Sequence, residues 1–314
     1  MKILVRATNW IGDAVMSLPA LRALRARYPE AEISILAKPW VADLYQGWRI
    51  IPFERFRWSL IRQLRAERFD LAVLFPNSFS SALVAWLAGA KRIVGYDRDA
   101  RGLLIPFPIE LPPPAHERYY YLELLKRARI IEAVPEVTEI RFDGVEEARA
   151  RGEALFRAAG IALPVTGVSP GAAFGSAKRW LPERFAEVAR RLGGSVAVFG
   201  SAAEKGLCEE VARLAGGKSF AGATSLRQFI DMVAACRVFL CNDSGAMHIA
   251  YAAGVPSVTV FGPTNEFATG PTGSSAVIVR EPVECAPCGL RECPIDHRCM
   301  TRVTVDHVMA SIRV

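Results

Sequence analysis

No apolar run in this chain approaches the roughly 20 residues that cross a bilayer, and no stretch has the build of a secretory leader. Met1 passes directly into Lys2-Ile3-Leu4-Val5-Arg6, a short β-like run. The expectation is a cytoplasmic protein. Internal repeats and low-complexity segments are also missing, and Pro112-Pro113-Pro114 is a local loop breaker. Histidine is scarce: of four, His116, His297 and His307 show no ligand spacing. Seven cysteines in a reducing compartment do not make a disulfide framework, and Cys208, Cys236 and Cys241 fall in apolar surroundings where Cys acts as a small hydrophobe. The other four, Cys285-x2-Cys288-x4-Cys293-x5-Cys299, are compatible with a four-thiolate metal site or with unliganded or partly oxidised thiols. Only the first pair has a usual ligand spacing, so metal binding stays open.

At 314 residues the chain exceeds one core, and a hydrophobic fraction of 51% suffices for two. Lys2 to Arg6, Glu32 to Ala37, Leu71 to Phe75 and Lys91 to Tyr96 read as strands. Helical segments lie between them, including one carrying Val15, Leu18, Leu21 and Leu24 on a single face and another over Ser81 to Ala88. A charged helix, Val145 to Ala159, ends at Gly160 and sets the expected boundary: domains 1-160 and 161-314. Beyond it the alternation restarts with strands at Thr166 to Ser169, Ser195 to Gly200, Arg237 to Cys241 and Ser257 to Phe261, and helices at Glu183 to Leu192 and Leu226 to Ala235. Alternation of this kind implies two α/β, doubly wound parallel-sheet domains, expected to face each other across a cleft.

Asn242-Asp243-Ser244-Gly245-Ala246-Met247-His248 joins an apolar strand to a small-residue helix. A helix start leaves N–H groups unpaired and carries partial positive charge, so this turn suits a phosphate; alternatively, Asp243 and Ser244 only cap the helix. Gly262-Pro263-Thr264 is a second turn on the same edge. Ser169 to Trp180 opens the first strand of the second half, with Gly171 and Gly175 for close backbone approach and Lys178 as a point charge. Its spacing is neither a Walker loop nor a dinucleotide fingerprint. Glu204, after Phe199-Gly200-Ser201, is placed to hold ribose hydroxyls or to serve as an ordinary first-turn acid. Asp13, on the first strand–helix turn, is a general-base candidate or a helix-start acid. His248, one turn into its helix, is a phosphate contact or a structural histidine. Asp97-Arg98-Asp99 has an Asp-x-Asp form but reads as a surface loop.

The net charge of +7 favours an acidic partner. Trp48, Phe53, Phe56 and Trp58 interleave with Arg49, Arg55, Arg57, Arg62, Arg65 and Arg68, which suits an anionic lipid surface, an acidic saccharide, or a solvated helix face over packed aromatics. No nucleic-acid module is recognisable, so a nucleic-acid partner is not expected.

Collinear segments through nearly the whole chain resemble the bacterial lipopolysaccharide heptosyltransferases of glycosyltransferase family 9. They include Trp10-Ile11-Gly12-Asp13, Ala26-Arg27-Tyr28-Pro29, Pro76-Asn77-Ser78-Phe79, Pro170-Gly171-Ala172, Ala177-Lys178-Arg179-Trp180, Phe199-Gly200-Ser201-Ala202, Asn242-Asp243-Ser244-Gly245, Met247-His248 and Gly262-Pro263. The resemblance implies a GT-B architecture, acceptor on the N-terminal domain and ADP-sugar on the C-terminal one. The implied activity is inverting transfer of L-glycero-D-manno-heptose from ADP-heptose to the first heptose of the lipopolysaccharide inner core (Kdo/heptose-lipid A), at the cytoplasmic face of the inner membrane. Asp13 then resembles the base, Lys178 the phosphate-binding lysine, Glu204 the ribose acid, and Asp243, Ser244 and Gly245 the donor turn. With such donors no cofactor is required. A first-heptose enzyme acting on Kdo, a related nucleotide-sugar transferase and a non-catalytic nucleotide-binding protein are the alternatives. Cys285 to Cys299 departs from the best-known members, and nothing is carried over there.

Overall fold

The computed structural model describes residues 1–312, which divide into one compact unit over Met1–Val137 and a second from Thr138 on. The first holds five strands: β1 (Lys2–Arg6), β2 (Glu32–Ala37), β3 (Arg49–Pro52), β4 (Leu71–Leu74) and β5 (Arg92–Val94). They pair in parallel in the order β3-β2-β1-β4-β5. Ile3, Leu4 and Val5 of the central strand are buried on both faces, which is why it reads as a continuous apolar run rather than an alternating one. The chain reverses its winding direction between β1 and β4, so the turns after those strands open side by side.

The second unit repeats the plan with β6 (Val165–Ser169), β7 (Ser195–Val198), β8 (Lys218–Ser219), β9 (Val238–Asn242), β10 (Ser257–Val260) and β11 (Ala276–Val279). All pairings are parallel, in the order β11-β10-β9-β6-β7-β8. Its core packs Trp180 and Phe185 edge to face, with ring centroids 5.0 Å apart, beneath Val168, Val198 and Leu240. Here the winding reverses between β6 and β9.

The division at 137/138 corrects the expected one at 160/161. Helix Val145–Ala158 looks like a terminal element in sequence, yet it packs against helix Leu226–Ala234 of the second unit. Arg151 grips Asp231 with two bonds, Nε–Oδ2 at 2.9 Å and Nη2–Oδ1 at 2.8 Å, and Asp231 is buried. Phe142 N–H also bonds the Ala252 carbonyl at 2.8 Å, and Ile140 N–H bonds Thr272 Oγ1 at 3.1 Å. Local periodicity carries no trace of these long-range bonds.

The single helix expected from Val15 to Leu24 is two helices, Ile11–Met16 and Leu18–Arg27. Pro19 has no N–H to continue the ladder and its ring crowds the preceding turn, so the chain breaks at Ser17, whose Oγ donates to the Ala14 carbonyl at 2.8 Å.

Gly152 lies where the two helices cross, and a Cβ there would run into the Asp231 backbone carbonyl. Gly152→Ala gains about 1 kcal/mol of helix propensity but overpacks an immovable backbone, so a net loss of about 2 kcal/mol is expected. Urea denaturation followed by tryptophan fluorescence measures it, and an unmoved midpoint would contradict the crossing described.

Candidate active site

In the second unit, the turns after β6 and β9 stand next to each other at the winding reversal, the usual ligand position in such sheets. Asn242, fully buried at the end of β9, fixes their spacing: its Oδ1 accepts from Trp180 N–H at 3.0 Å and its Nδ2 donates to the Pro170 carbonyl at 2.8 Å. Both ends of the Ser169 to Trp180 loop are therefore tied to the neighbouring strand. Lys178 Nζ reaches Asp243 Oδ2 at 2.5 Å, and Thr264 Oγ1 donates to that same oxygen at 2.5 Å. Three turns, after β6, β9 and β10, converge on one carboxylate.

Helix Gly245–Ala252 begins at Ser244 without a side-chain cap, and the Ser244 hydroxyl is buried without a partner. Asp243 is committed to Lys178 and Thr264. The capping explanation for these residues therefore does not describe the turn. What stands there is an uncapped helix start with Gly245 as first residue, a spare hydroxyl and an ammonium held nearby, a constellation that accepts an anion.

Glu204 closes a capping box: its Oε2 accepts from Ser201 N–H at 2.9 Å and from Ser201 Oγ at 2.7 Å. Its carboxylate also abuts Gly171, where a Cβ would collide with it, so Glu204 lies against the phosphate-like turn as well as capping its own helix. His248 is 4% exposed, and its Nδ1 is 2.9 Å from Tyr251 Oη. The expected phosphate contact meets a ring already packed into the unit's interior.

The segment carrying the four late cysteines braces the same turns. Ala177 N–H donates to the Arg291 carbonyl at 2.9 Å, His297 Nε2 sits 2.8 Å from the Ala177 carbonyl, and Gly289 N–H donates to the Pro263 carbonyl at 2.8 Å. All seven cysteines are free thiols, and among the described residues no three Cys, His, Asp or Glu side chains come together as a metal site. The Cys299 thiol is pushed up to about 11 by burial, with Cys285, Cys293 and Cys288 adding to the shift, so the four sulfurs share one neighbourhood.

In the first unit, Asp13 occupies the first turn of helix Ile11–Met16, directly after β1. It is half-buried, and among the described residues nothing donates a hydrogen bond to its carboxylate. Burial pushes its pKa up to about 6. Glu117, on a short turn of 3-10 helix packed against this helix, is also raised, first by burial and then by the charge of Asp13. Tyr45 and Tyr121 complete the weakly solvated surroundings of Asp13. Sequence reasoning missed Glu117 and Thr264: Glu117 meets Asp13 only through tertiary packing, whereas Thr264 was signalled by its place in a glycine-proline turn after a strand. Asp97 and Asp99 are exposed loop residues, as read.

A model of glycosyltransferase family 9 (heptosyltransferase) matches residues 57–298. The chain is 34% identical over 310 residues to lipopolysaccharide heptosyltransferase 2 of Escherichia coli, covering 89% of this chain and 88% of that one. It is 27% identical over 329 residues to a lipooligosaccharide heptosyltransferase 2 of Campylobacter jejuni, covering 100% of this chain and 98% of the relative. The fold matches the solved structure of E. coli ADP-heptose lps heptosyltransferase II with a TM-score of 0.83 at 29% identity, over 99% of this chain and 97% of the other. The GT-B class expected from the sequence, two doubly wound α/β units, is what this match shows. By the extent of the family match and by 34% identity to the E. coli enzyme over 89% of its length, the chain belongs to glycosyltransferase family 9, the heptosyltransferases, and is a glycosyltransferase.

Proposed function

We propose that this glycosyltransferase moves L-glycero-D-manno-heptose from ADP-heptose to the first heptose of the lipopolysaccharide inner core, with inversion. The observation that carries the donor side is the uncapped helix start at Ser244 and Gly245 beside Lys178; the similarity to ADP-heptose lipopolysaccharide heptosyltransferases supports the choice of donor sugar and of a lipopolysaccharide acceptor. The acceptor oxygen attacks the anomeric carbon on the face opposite ADP, the bond to the diphosphate breaks, and the acceptor proton passes to Asp13. Charge on the departing diphosphate is met by Lys178 and the Ser244 and Gly245 N–H groups, and oxocarbenium character by Asp243. Glu204 receives the ribose hydroxyls. No step is routed through a metal or other cofactor.

We place the enzyme at the cytoplasmic face of the inner membrane, held to its anionic surface. Exposed Phe56 and Trp58 beside Arg55 and Arg57 support that contact. No helix among the described residues is long and apolar enough to cross a membrane.

The deciding assay incubates the protein with ADP-heptose and defined truncated cores and measures released ADP. Release with cores ending in one heptose, and not with cores ending in Kdo, is the expected result; the reverse preference would make this a first-heptose enzyme, and no release with any core would end the proposal.

Lys178→Met is expected to lower kcat/KM for ADP-heptose by about a hundredfold, with a parallel loss of ADP affinity. Undiminished ADP binding would remove Lys178 from the diphosphate.

Asp13→Asn is expected to lower turnover by on the order of a hundredfold with ADP affinity nearly intact, and collapse of ADP binding would make Asp13 structural. Because Asp13 must be ionised to accept a proton, the acid limb of the parent's kcat/KM profile should have its midpoint near its pKa of about 6, against an ordinary value of 3.8. The native state binds this proton more tightly than the unfolded chain, so ionisation of Asp13 destabilises the fold as pH rises from about 4 to about 6. Asp13→Asn removes that cost: at pH 7.5 it should be more stable than the parent by roughly 3 kcal/mol, a gap that closes below pH 4. Denaturant titration at both pH values checks it.

A further inference from the structure

Among the described residues, the first unit holds a buried cation without a counter-ion. Arg6, at the end of β1, is 4% exposed, and its guanidinium bonds only neutral acceptors: the Ala7 carbonyl at 2.6 Å, the Leu36 carbonyl at 3.0 Å and Asn9 Oδ1 at 2.8 Å. A second cation shares its surroundings. Lys38 follows β2, and Phe53 follows β3 with its N–H bonded to the Ala37 carbonyl at 2.8 Å. Arg6 Cζ and Lys38 Nζ lie 4.5 Å and 4.7 Å from the centroid of that one phenyl ring. The Lys38 ammonium donates to the Glu54 backbone carbonyl, and among the described residues no carboxylate forms an ion pair with either cation. The Glu54 side chain, the acid that acts on Lys38 electrostatically, pairs instead with Arg57 at 3.3 Å.

Two like charges against one ring are costly, and both show it. Burial lowers Arg6 to about 10, and Lys38 is lowered by burial and by Arg6. A fold retains such a pair at no gain unless something negative joins it. Further polar groups lie on the same turn and its neighbour: the Thr8 and Tyr45 hydroxyls are buried close to each other, and Arg6 and Asp13 both act electrostatically on Tyr45. Two large exposed aromatic rings belong to the same turns. Trp10 is 64% exposed and Trp40 56% exposed, Trp40 Nε1 donates to the Asn9 carbonyl at 2.9 Å, and Lys38 Nζ is 5.3 Å from the Trp40 ring. Exposed indoles clustered beside convergent polar groups mark a binding surface rather than packing. Trp10 is also the residue from which the Asp13 helix starts, so cations, aromatics and base occupy one end of one sheet.

We infer that Arg6 and Lys38 form an acidic-saccharide subsite, in which the pair holds a carboxylate or phosphate of the acceptor while Trp10 and Trp40 cover apolar faces of its sugar rings. The inference rests on the reading of Asp13 as the base that serves a saccharide acceptor. A neutral saccharide would leave the two cations uncompensated, so the subsite selects acidic acceptors.

The test pairs acceptors with variants of the full-length protein. Truncated cores are compared with the Kdo carboxylate reduced to the alcohol, with phosphate removed, or with both left intact. Loss of the group that Arg6 and Lys38 bind should raise the acceptor KM by about tenfold or more, which identifies carboxylate or phosphate. Lys38→Met, a partly exposed position that does not anchor the sheet, should cost the intact acceptor a similar factor, cost the neutralised acceptor almost nothing, and leave the KM for ADP-heptose unmoved. Lys205→Met, the same charge change in the other unit, should do none of this. Arg6→Lys keeps the charge and should restore part of the discrimination that Arg6→Met loses. Equal losses on charged and neutral acceptors, or a Lys38→Met enzyme that still discriminates like the parent, would overturn the subsite. Calorimetric binding of the same cores separates this from the activity proposal. Binding that depends on Lys38 without any transfer would sink the transfer reading alone, and transfer indifferent to Lys38 would sink the subsite alone.

Discussion

The strand-end turns of the second unit depend on the Asp243 carboxylate. One of its oxygens takes both the Lys178 ammonium and the Thr264 hydroxyl, so the turns after β6, β9 and β10 cannot drift apart without leaving a buried charge unpaired. A single acid of this kind gives positional precision rather than raw stability. Lys178 would otherwise swing on four methylenes, and holding it in place before a ligand arrives reduces the entropy lost when it meets one. Asn242, one residue earlier, does the neutral part of the same work by bonding both ends of the loop that presents the lysine.

The first unit follows the opposite rule. Among the described residues the Asp13 carboxylate has no hydrogen-bond donor, and its neighbours are another acid, Glu117, and the tyrosines 45 and 121. Asp243 is held in place by Lys178 and Thr264, whereas Asp13 is left poorly solvated and raised toward neutrality. Two aspartates on strand-end turns thus acquire different chemistry from environment alone, one suited to fixing charge and the other to exchanging a proton.

How much of this the sequence discloses follows from the range of the forces involved. Strands β1, β2, β6 and β9 were legible because buried parallel strands are plain apolar runs, and the turns at 169–180 and 242–248 because glycine, aspartate and lysine punctuate them. β3, β8 and β11 were not. Arg49–Pro52 lies inside a basic aromatic segment, and Lys218–Ser219 has only two residues, so neither carries a period. The helix at 145–158 was legible as a helix, but its membership of the second unit lies in Gly152 and in the Arg151–Asp231 pair, across some 80 positions. Glu204 shows the limit for sites: its capping box is written in Ser201 and Glu204, while its contact with Gly171 is not.

The cysteine-bearing segment shows how an irregular stretch can still fix a site. From Pro282 to His297 it has neither helix nor strand, which in a compact unit usually marks a mobile or functional loop. Its backbone at Arg291 and Gly289 and the ring of His297, however, are occupied by the very turns that carry Lys178 and Thr264. Gly175 is required there, because a Cβ would strike the Arg291 carbonyl. The segment therefore needs no secondary structure of its own: its order comes from the turns that carry Lys178 and Thr264, and theirs partly from it. One cysteine is tied to the same place: Cys293 Sγ accepts from His297 N–H at 3.3 Å, and the His297 ring sits 2.8 Å from the carbonyl of Ala177, the residue before the lysine.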